Sequence, residues 1–320
     1  MEIGGYFGLE PLISNEYYKN LIALNTARNA LLYILKARKI PKLYIPYFLC
    51  DSVSEMCDRE GYTYEFYHIN SSFLPVFEKN LSDNEYLYVV NYYGQISNEQ
   101  IKKLQAKYKR IIIDNVQAFF QKPVQGIDTI YSCRKFFGVP DGAYLSTDCM
   151  LEEELQEDVS SGRLNHLLGR FETGSASTFY QDFKNNDDSF DNLELKKMSK
   201  FTHNILGAID YEKVKKIREE NYLFLHEHLK QTNRLILAIP EGPYAYPFYC
   251  KNGMELRRKM AEQKIYIPTL WPNVLCSDDL IAKDYAENIL PLPCDQRYSL
   301  ENIHYLIRKI YLMMGGLSNA

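Results

Sequence analysis

Residues 110–138 read RIIIDNVQAFFQKPVQGIDTIYSCRKFFG, and the fold turns on how this stretch is parsed. The apolar run Ile111-Ile112-Ile113 ends in Asp114. A second run, Ile127 to Tyr131, ends in Ser132, and Lys135 follows three residues on. Short β-branched runs of this kind read as buried strands. In open parallel sheets, ligands sit outside the carboxyl ends of the strands. An acid, a hydroxyl and an amine are therefore expected to emerge together where a ligand belongs.

That trio suits pyridoxal 5′-phosphate (PLP). The cofactor draws electrons only while its ring nitrogen keeps a proton, and a buried aspartate supplies the counter-charge. A lysine holds the aldehyde as a Schiff base, and a hydroxyl meets the phosphate. The SxxK spacing of Ser132 and Lys135 lets one loop grip the phosphate and present the amine. Taken singly, an Asp at a strand end is commonly a turn residue and a Lys a solvated charge. The ordered set carries the reading.

Working outward, residues 15–38 have Leu21, Leu24, Leu31, Leu32 and Leu35 at helical spacing. Inside them, Asn25-Thr26-Ala27-Arg28-Asn29-Ala30 offers small and polar residues that can open a helix and cradle a phosphate on backbone N–H groups. The alternative is a helix that starts before Asn25 and runs straight through. Strands are expected at Lys42–Pro46, Tyr62–Tyr67 and Tyr86–Val90, with helices to about Glu60 and over residues 97–108. Strands alternating with helices define a parallel sheet with crossover helices. A nicotinamide-binding fold would want GxGxxG after its first strand. Here YFLCDS stands in that place, so that fold is rejected.

Residues 151–168 are expected to be helical, with acids at the start, and residues 184–192 (KNNDDSFDN) to be a polar loop or flap. Residues 1–10 and 170–192 are candidates to touch substrate. A long amphipathic helix spans 210–231, and its His226 and His228 lack metal-site spacing. From about residue 211 the pattern becomes a smaller α+β unit. Its strands fall near 235–239, 245–250 and 265–267, and its helices at 253–263 and 299–314. The chain thus divides into a large α/β domain, 1–210, and a small α+β domain, 211–320.

At 320 residues there is length for a sizeable core, and 46% hydrophobic with 24% charged residues is ordinary globular usage. A net charge of −4 provides no basic footprint for nucleic acid or for a membrane surface. The 27 tyrosines are scattered and read as core and cleft lining. Seven cysteines without CxxC spacing read as reduced thiols, not a disulfide frame or a metal site. The N-terminal MEIGGYFGLE has no signal-peptide pattern and no stretch approaches membrane-span length, so the cytoplasm is the expected compartment.

Several segments together resemble the DegT/DnrJ/StrS sugar aminotransferases, a PLP-dependent family of fold type I. They are TARNAL, IPYFLCDSV, VVNYYG, IIIDNVQAFF, YSCRKFFGVPDGAYL, MSKFTHNIL, KIREENY, IYIPTLWP and ILPLPCDQRY. The resemblance implies a mostly parallel large domain with a smaller C-terminal one. It assigns Asp114 to the pyridinium nitrogen, Gln117 to the ring oxygen and Lys135 to the Schiff base. Ser132, Ala27 and Arg28 fall at the phosphate, and Phe48, from the 46–50 turn, is assigned to stack on the ring. The sequence also departs from the family. The spacing from Ser132 to Lys135 is two residues shorter than usual, GEGG is replaced by Pro140-Asp141-Gly142-Ala143, and Leu195 stands where an asparagine often reaches the partner subunit. The activity implied is transfer of an amino group from glutamate to a keto-sugar, nucleotide-linked, by a homodimer. The alternatives are another PLP-dependent sugar reaction, whose dehydratases replace the lysine with histidine, and a non-catalytic member of the fold. Retention of Asp114 and Lys135 favours transamination.

Overall fold

The computed structural model describes residues 3–317, so the first two and last three residues of the expected domains lie outside the described residues. The chain runs β1 (Ile22–Leu24), α1 (Ala27–Ala37), β2 (Lys42–Pro46), α2 (Asp51–Glu60), β3 (Thr63–Ile69), β4 (Pro75–Val76) and β5 (Glu85–Val90). Then come α3 (Asn98–Tyr108), β6 (Ile111–Asp114), β7 (Asp128–Ser132), β8 (Ala143–Ser146), α4 (Asn165–Thr173), α5 (Tyr180–Asp188), α6 (Lys200–Gly207) and α7 (Tyr211–Leu229). Last are β9 (Tyr246–Tyr249), α8 (Gly253–Glu262), α9 (Leu280–Asn288), β10 (Ile289–Leu292) and α10 (Leu300–Leu317).

Eight strands form one sheet in the order β1-β8-β7-β6-β5-β2-β3-β4. Strands β3, β2, β5, β6 and β7 are mutually parallel. β8 runs against β7, and β1 against β8. Every residue of β6 and β7 is buried, as expected where helices cover both faces of a parallel sheet. Helix α1 is buried continuously from Asn29 to Leu35, and within that run residues 30–35 are apolar all round rather than striped. It starts at Ala27 and not before Asn25, because Thr26 is extended and its hydroxyl accepts from the Asn29 N–H at 3.1 Å.

The remaining strands, β9 and β10, pair antiparallel in a separate two-stranded sheet. Tyr222, Leu225, Phe248, Leu290, Ile303 and Ile307 make a core there with α7, α8 and α10. Other C-terminal residues join the core of the large sheet, among them Trp271, Val274 and Tyr285.

Several sequence expectations are corrected. Residues 151–164 are irregular apart from one 3-10 turn, and the helix begins only at Asn165. The backbone there bonds outward: Asp158 N–H to the Lys197 carbonyl at 3.0 Å, and Lys197 N–H to that of Gln156 at 2.8 Å. The polar run 184–192 is not a loop but the end of α5 and a 3-10 turn, anchored by the buried Phe190 and by Asn186 Nδ2 on the Pro140 carbonyl at 3.1 Å. Residues 235–239 form no strand. The Leu235 and Ala238 N–H groups bond the side-chain oxygens of Asn233 (3.1 Å) and Gln95 (2.8 Å) instead of a neighbouring strand. Residues 265–267 form none either, as Ile265 closes helix α8 on the Met260 carbonyl. Strands β1, β4, β8 and β10 and helices α5, α6 and α9 are additional elements.

Candidate active site

The five parallel strands and β1 all end at one edge of the sheet, and β8 starts there. In register, Asp114 of β6 faces Ile130 of β7, so Ser132 projects two residues further along the same edge. After Ser132 the chain makes a tight turn, with the Phe136 and Phe137 N–H groups on the Cys133 carbonyl at 3.0 and 2.9 Å. Lys135 lies in that turn. Its Nζ stands 5.6 Å from the ring centroid of Tyr244 and 6.0 Å from that of Trp271, both contributed by the C-terminal half.

Asp114 is buried. Tyr88 Oη donates to its Oδ2 at 2.7 Å, and the Val116 N–H to its Oδ1 at 2.8 Å. Burial pushes its pKa up, against the pull of these two donors and of the Lys135 charge. The amine and the carboxylate are thus within electrostatic reach of one another. The Cys50 thiol, at the start of α2, feels the same lysine, though burial dominates and raises its pKa.

Gln117 follows one turn after Asp114. Its Oε1 accepts from the Tyr93 N–H at 2.8 Å, while its Nε2 is buried with no acceptor among the described residues. A buried amide donor left unpaired is costly, unless a ligand completes it.

The phosphate candidates lie along the same edge. Leu24, Ala143 and Ser132 form one lateral row across β1, β8 and β7, and the Gly142 N–H bonds the Asn25 carbonyl at 2.6 Å. Ala27 and Arg28 open α1, where the first N–H groups have no intrahelical acceptor. The Arg28 guanidinium, however, pairs with Asp191 at 2.8 Å, so what Arg28 offers an anion is its backbone. Asp141, in the Pro140-Asp141-Gly142-Ala143 turn, is fully buried and accepts from Ser199 N at 2.9 Å, from Ser199 Oγ at 2.8 Å, and from the Thr202 hydroxyl. It pins the lysine-bearing loop to the first turn of α6.

Phe48 is placed differently from the others. It is 1% exposed, with Tyr92, Trp271 and Tyr285 packed around its ring. No face of the ring is open to a ligand. Within the 46–50 turn it is the Cys50 thiol that the Lys135 charge reaches. Tyr88, Tyr244 and Trp271 were not among the sequence candidates: Trp271 falls in the IYIPTLWP segment, which carried no residue role, and nothing in the local sequence of the other two marks them. Among the described residues there is no cluster of His, Cys, Asp and Glu able to hold a metal ion, and no helix long and apolar enough to cross a membrane.

No family sequence model and no curated protein sequence matches the chain. Solved structures do resemble it. NtdA of Bacillus subtilis, with the cofactor PMP bound, superposes with a TM-score of 0.64 at 14% identity over 92% of this chain and 73% of its own. A DegT/DnrJ/EryC1/StrS aminotransferase from Brucella abortus gives 0.62 at 15% identity, over 92% and 85%. PseC of Helicobacter pylori, an aminotransferase of pseudoaminic acid biosynthesis, gives 0.60 at 16%, over 90% and 85%. The chain is a mixed α/β protein built on a mostly parallel eight-stranded sheet. More specifically, that sheet and its surrounding helices have the fold of the aminotransferases it superposes on.

Proposed function

We propose that this chain is a PLP-dependent aminotransferase that carries an amino group from an amino acid, glutamate, to a nucleotide-linked keto-sugar. A shared fold does not settle activity. The observation that carries the reading is a shared edge: Lys135 lies in the turn after β7, and Asp114 is a buried carboxylate at the end of the adjacent parallel strand, where the lysine charge still reaches it.

The residues present suit PLP. Asp114 is a buried acid in need of a cationic partner, Gln117 Nε2 is a buried donor in need of an acceptor, and the opening of α1 is a ready anion site. Asp114 would keep the ring nitrogen protonated, and Gln117 would donate to the ring oxygen. Ser132 and the N–H groups of Ala27 and Arg28 would take the phosphate. PLP, when bound, supplies an electron-accepting ring that stabilises negative charge beside the substrate nitrogen. Lys135 would hold the cofactor through its amine and, once displaced, move the proton from the donor's Cα to the cofactor's C4′.

The same reading makes the enzyme a homodimer. Ile3, Tyr6, Phe7, Leu9, Leu12 and Ile13 are all exposed along the N-terminal segment, an apolar run that a second copy would cover. It divides the chain between α6 and α7, near residue 210. It also puts the protein in the cytoplasm, in keeping with seven unpaired cysteines.

The test is chemical. Protein incubated with PLP and reduced with borohydride should carry the adduct on Lys135, and Lys135→Ala should carry none. Glutamate with a panel of nucleotide keto-sugars should then yield one aminated product and an equal amount of 2-oxoglutarate, read by mass. An adduct absent from Lys135 in the wild-type protein would end this reading.

A further inference from the structure

Arg218, on α7, is a buried cation, 1% exposed. The acid whose field reaches it, Asp295, is itself held by Arg297 at 2.6 and 2.8 Å. Among the described residues its hydrogen bonds go only to neutral acceptors. Nε donates to Gln296 Oε1 at 2.8 Å, one terminal nitrogen to the Pro243 and Tyr244 carbonyls at 2.8 and 3.4 Å, and the other to the Phe136 carbonyl at 3.1 Å. The guanidinium also lies 4.6 Å over the Phe136 ring. Gln296 Nε2 donates to the same Phe136 carbonyl at 2.8 Å.

Burying a guanidinium without a carboxylate is costly, so what it binds is informative. Phe136 is the residue after Lys135, and Tyr244 is the ring over which the lysine amine sits. One planar fork therefore ties together two backbone segments from opposite halves of the chain, and both flank the amine. A lysine ammonium would be a poor substitute, since it lacks the rigid multi-donor geometry.

We infer that Arg218 and Gln296 are positioning residues for Lys135: they fix the peptide that follows it and the backbone of Tyr244 beside it, and so set where the amine stands above the ends of β6 and β7. The inference rests on Lys135 being the cofactor lysine, as proposed above.

The experiment measures how fast the full-length chain forms the borohydride-trapped PLP adduct, well below each variant's unfolding temperature. Arg218→Met and Arg218→Lys should both slow trapping by about tenfold or more, since small misplacements of a reacting group are expensive. Gln296→Leu, which leaves the guanidinium in place, should slow it by at least about threefold. Leu225→Ala, a core truncation on the same helix, should lower stability yet trap at the wild-type rate. Trapping at the wild-type rate in folded Arg218→Met, or full recovery in Arg218→Lys, overturns the inference, as does equal slowing in Leu225→Ala. Should Arg218→Met not fold, Gln296→Leu decides alone, and a wild-type rate there is fatal. A wild-type chain that forms no adduct at Lys135 instead refutes the proposed function, and this inference with it.

Discussion

Tyr88 and Asp114 stand on neighbouring parallel strands, and the phenol of one donates to the carboxylate of the other at 2.7 Å. Tyr88 is in register with Ile112, two residues before Asp114, so both side chains leave the same face of the sheet. Even with this donor and the Val116 N–H, burial holds the Asp114 pKa above its ordinary value. The folded protein therefore keeps a proton on this acid more readily than the unfolded chain does. The stability this gives is present at low pH and is lost as pH rises through the raised pKa. Without cofactor, Asp114→Asn should gain on wild type from acid to neutral pH, read as urea midpoints. A difference that stays flat across that range contradicts the assignment. With cofactor, the same variant should lose about a hundredfold or more in turnover, the scale of a lost electrostatic partner.

Gly142 holds the other end of the lysine loop. Its φ is +113°, and a Cβ there would lie 2.9 Å from Thr202 Cγ2 and 3.2 Å from Cys133 Cβ. Its backbone bonds both Asn25 and Cys133. Gly142→Ala should cost about 1–3 kcal/mol through backbone strain and crowding. It should also weaken PLP binding, because Cys133 follows Ser132 directly. Denaturation midpoints and a titration of the cofactor's visible band check both parts, and an unchanged midpoint would show that the turn relaxes freely.

The central stretch was legible because its information is local. Ile111 to Ile113 is a short apolar run and Ile127 to Ser132 a β-prone one, both buried on both faces, and their ends mark the ligand edge without help from elsewhere. What surrounds Lys135 was not legible. Tyr88, Arg218, Tyr244, Trp271 and Gln296 reach the site from five separate segments, and each looks locally like an ordinary strand, helix or loop residue. Strand β10 was hidden by its proline, Pro291, which faces Pro247 of β9 across a two-stranded ladder, since proline argues against a strand. The run 184–192 is polar in composition. Its Asp187 and Asp191 nevertheless pair with Arg134 and Arg28, so contacts distant in sequence order what composition reads as a loop.

The N-terminal segment carries a pH-sensitive tether. Glu16 Oε1 and His203 Nδ1 are 2.7 Å apart, and the Tyr144 hydroxyl also reaches Glu16. Burial alone would raise the Glu16 pKa, but the bonds from His203 and Tyr144 hold it below the ordinary carboxylate value. Hydrogen bonding to Glu16 raises that of His203. The histidine's share of the attachment is therefore full below the ordinary histidine pKa and is lost as pH rises through the raised value. The Asn15 N–H, bonded to the Gly207 carbonyl at 2.9 Å, reports on it. Its hydrogen-exchange protection factor should fall from neutral to alkaline pH in wild type and be low and flat in His203→Gln. An identical profile in the two proteins would rule the tether out.

Phe48 separates a core residue from a cofactor-facing one. Its ring centroid is 5.1 Å from Tyr92, 5.2 Å from Trp271 and 5.7 Å from Tyr285, and its carbonyl accepts from the Tyr92 hydroxyl. Removing it empties a space walled by three aromatic rings that cannot all collapse inward. Phe48→Ala should therefore cost about 3–5 kcal/mol of stability. Once folded, the variant should bind PLP with nearly wild-type affinity, because the ring presents no face to a ligand. Cys50→Ala should show the opposite pattern: about 1 kcal/mol or less in stability, with a measurable change in PLP affinity, since the Lys135 charge reaches the thiol. Paired urea titrations and PLP binding curves distinguish the two. If Phe48→Ala instead kept its midpoint and lost cofactor affinity, the ring would have to leave its aromatic cluster on binding, and the stacking role assigned to it by resemblance would be restored.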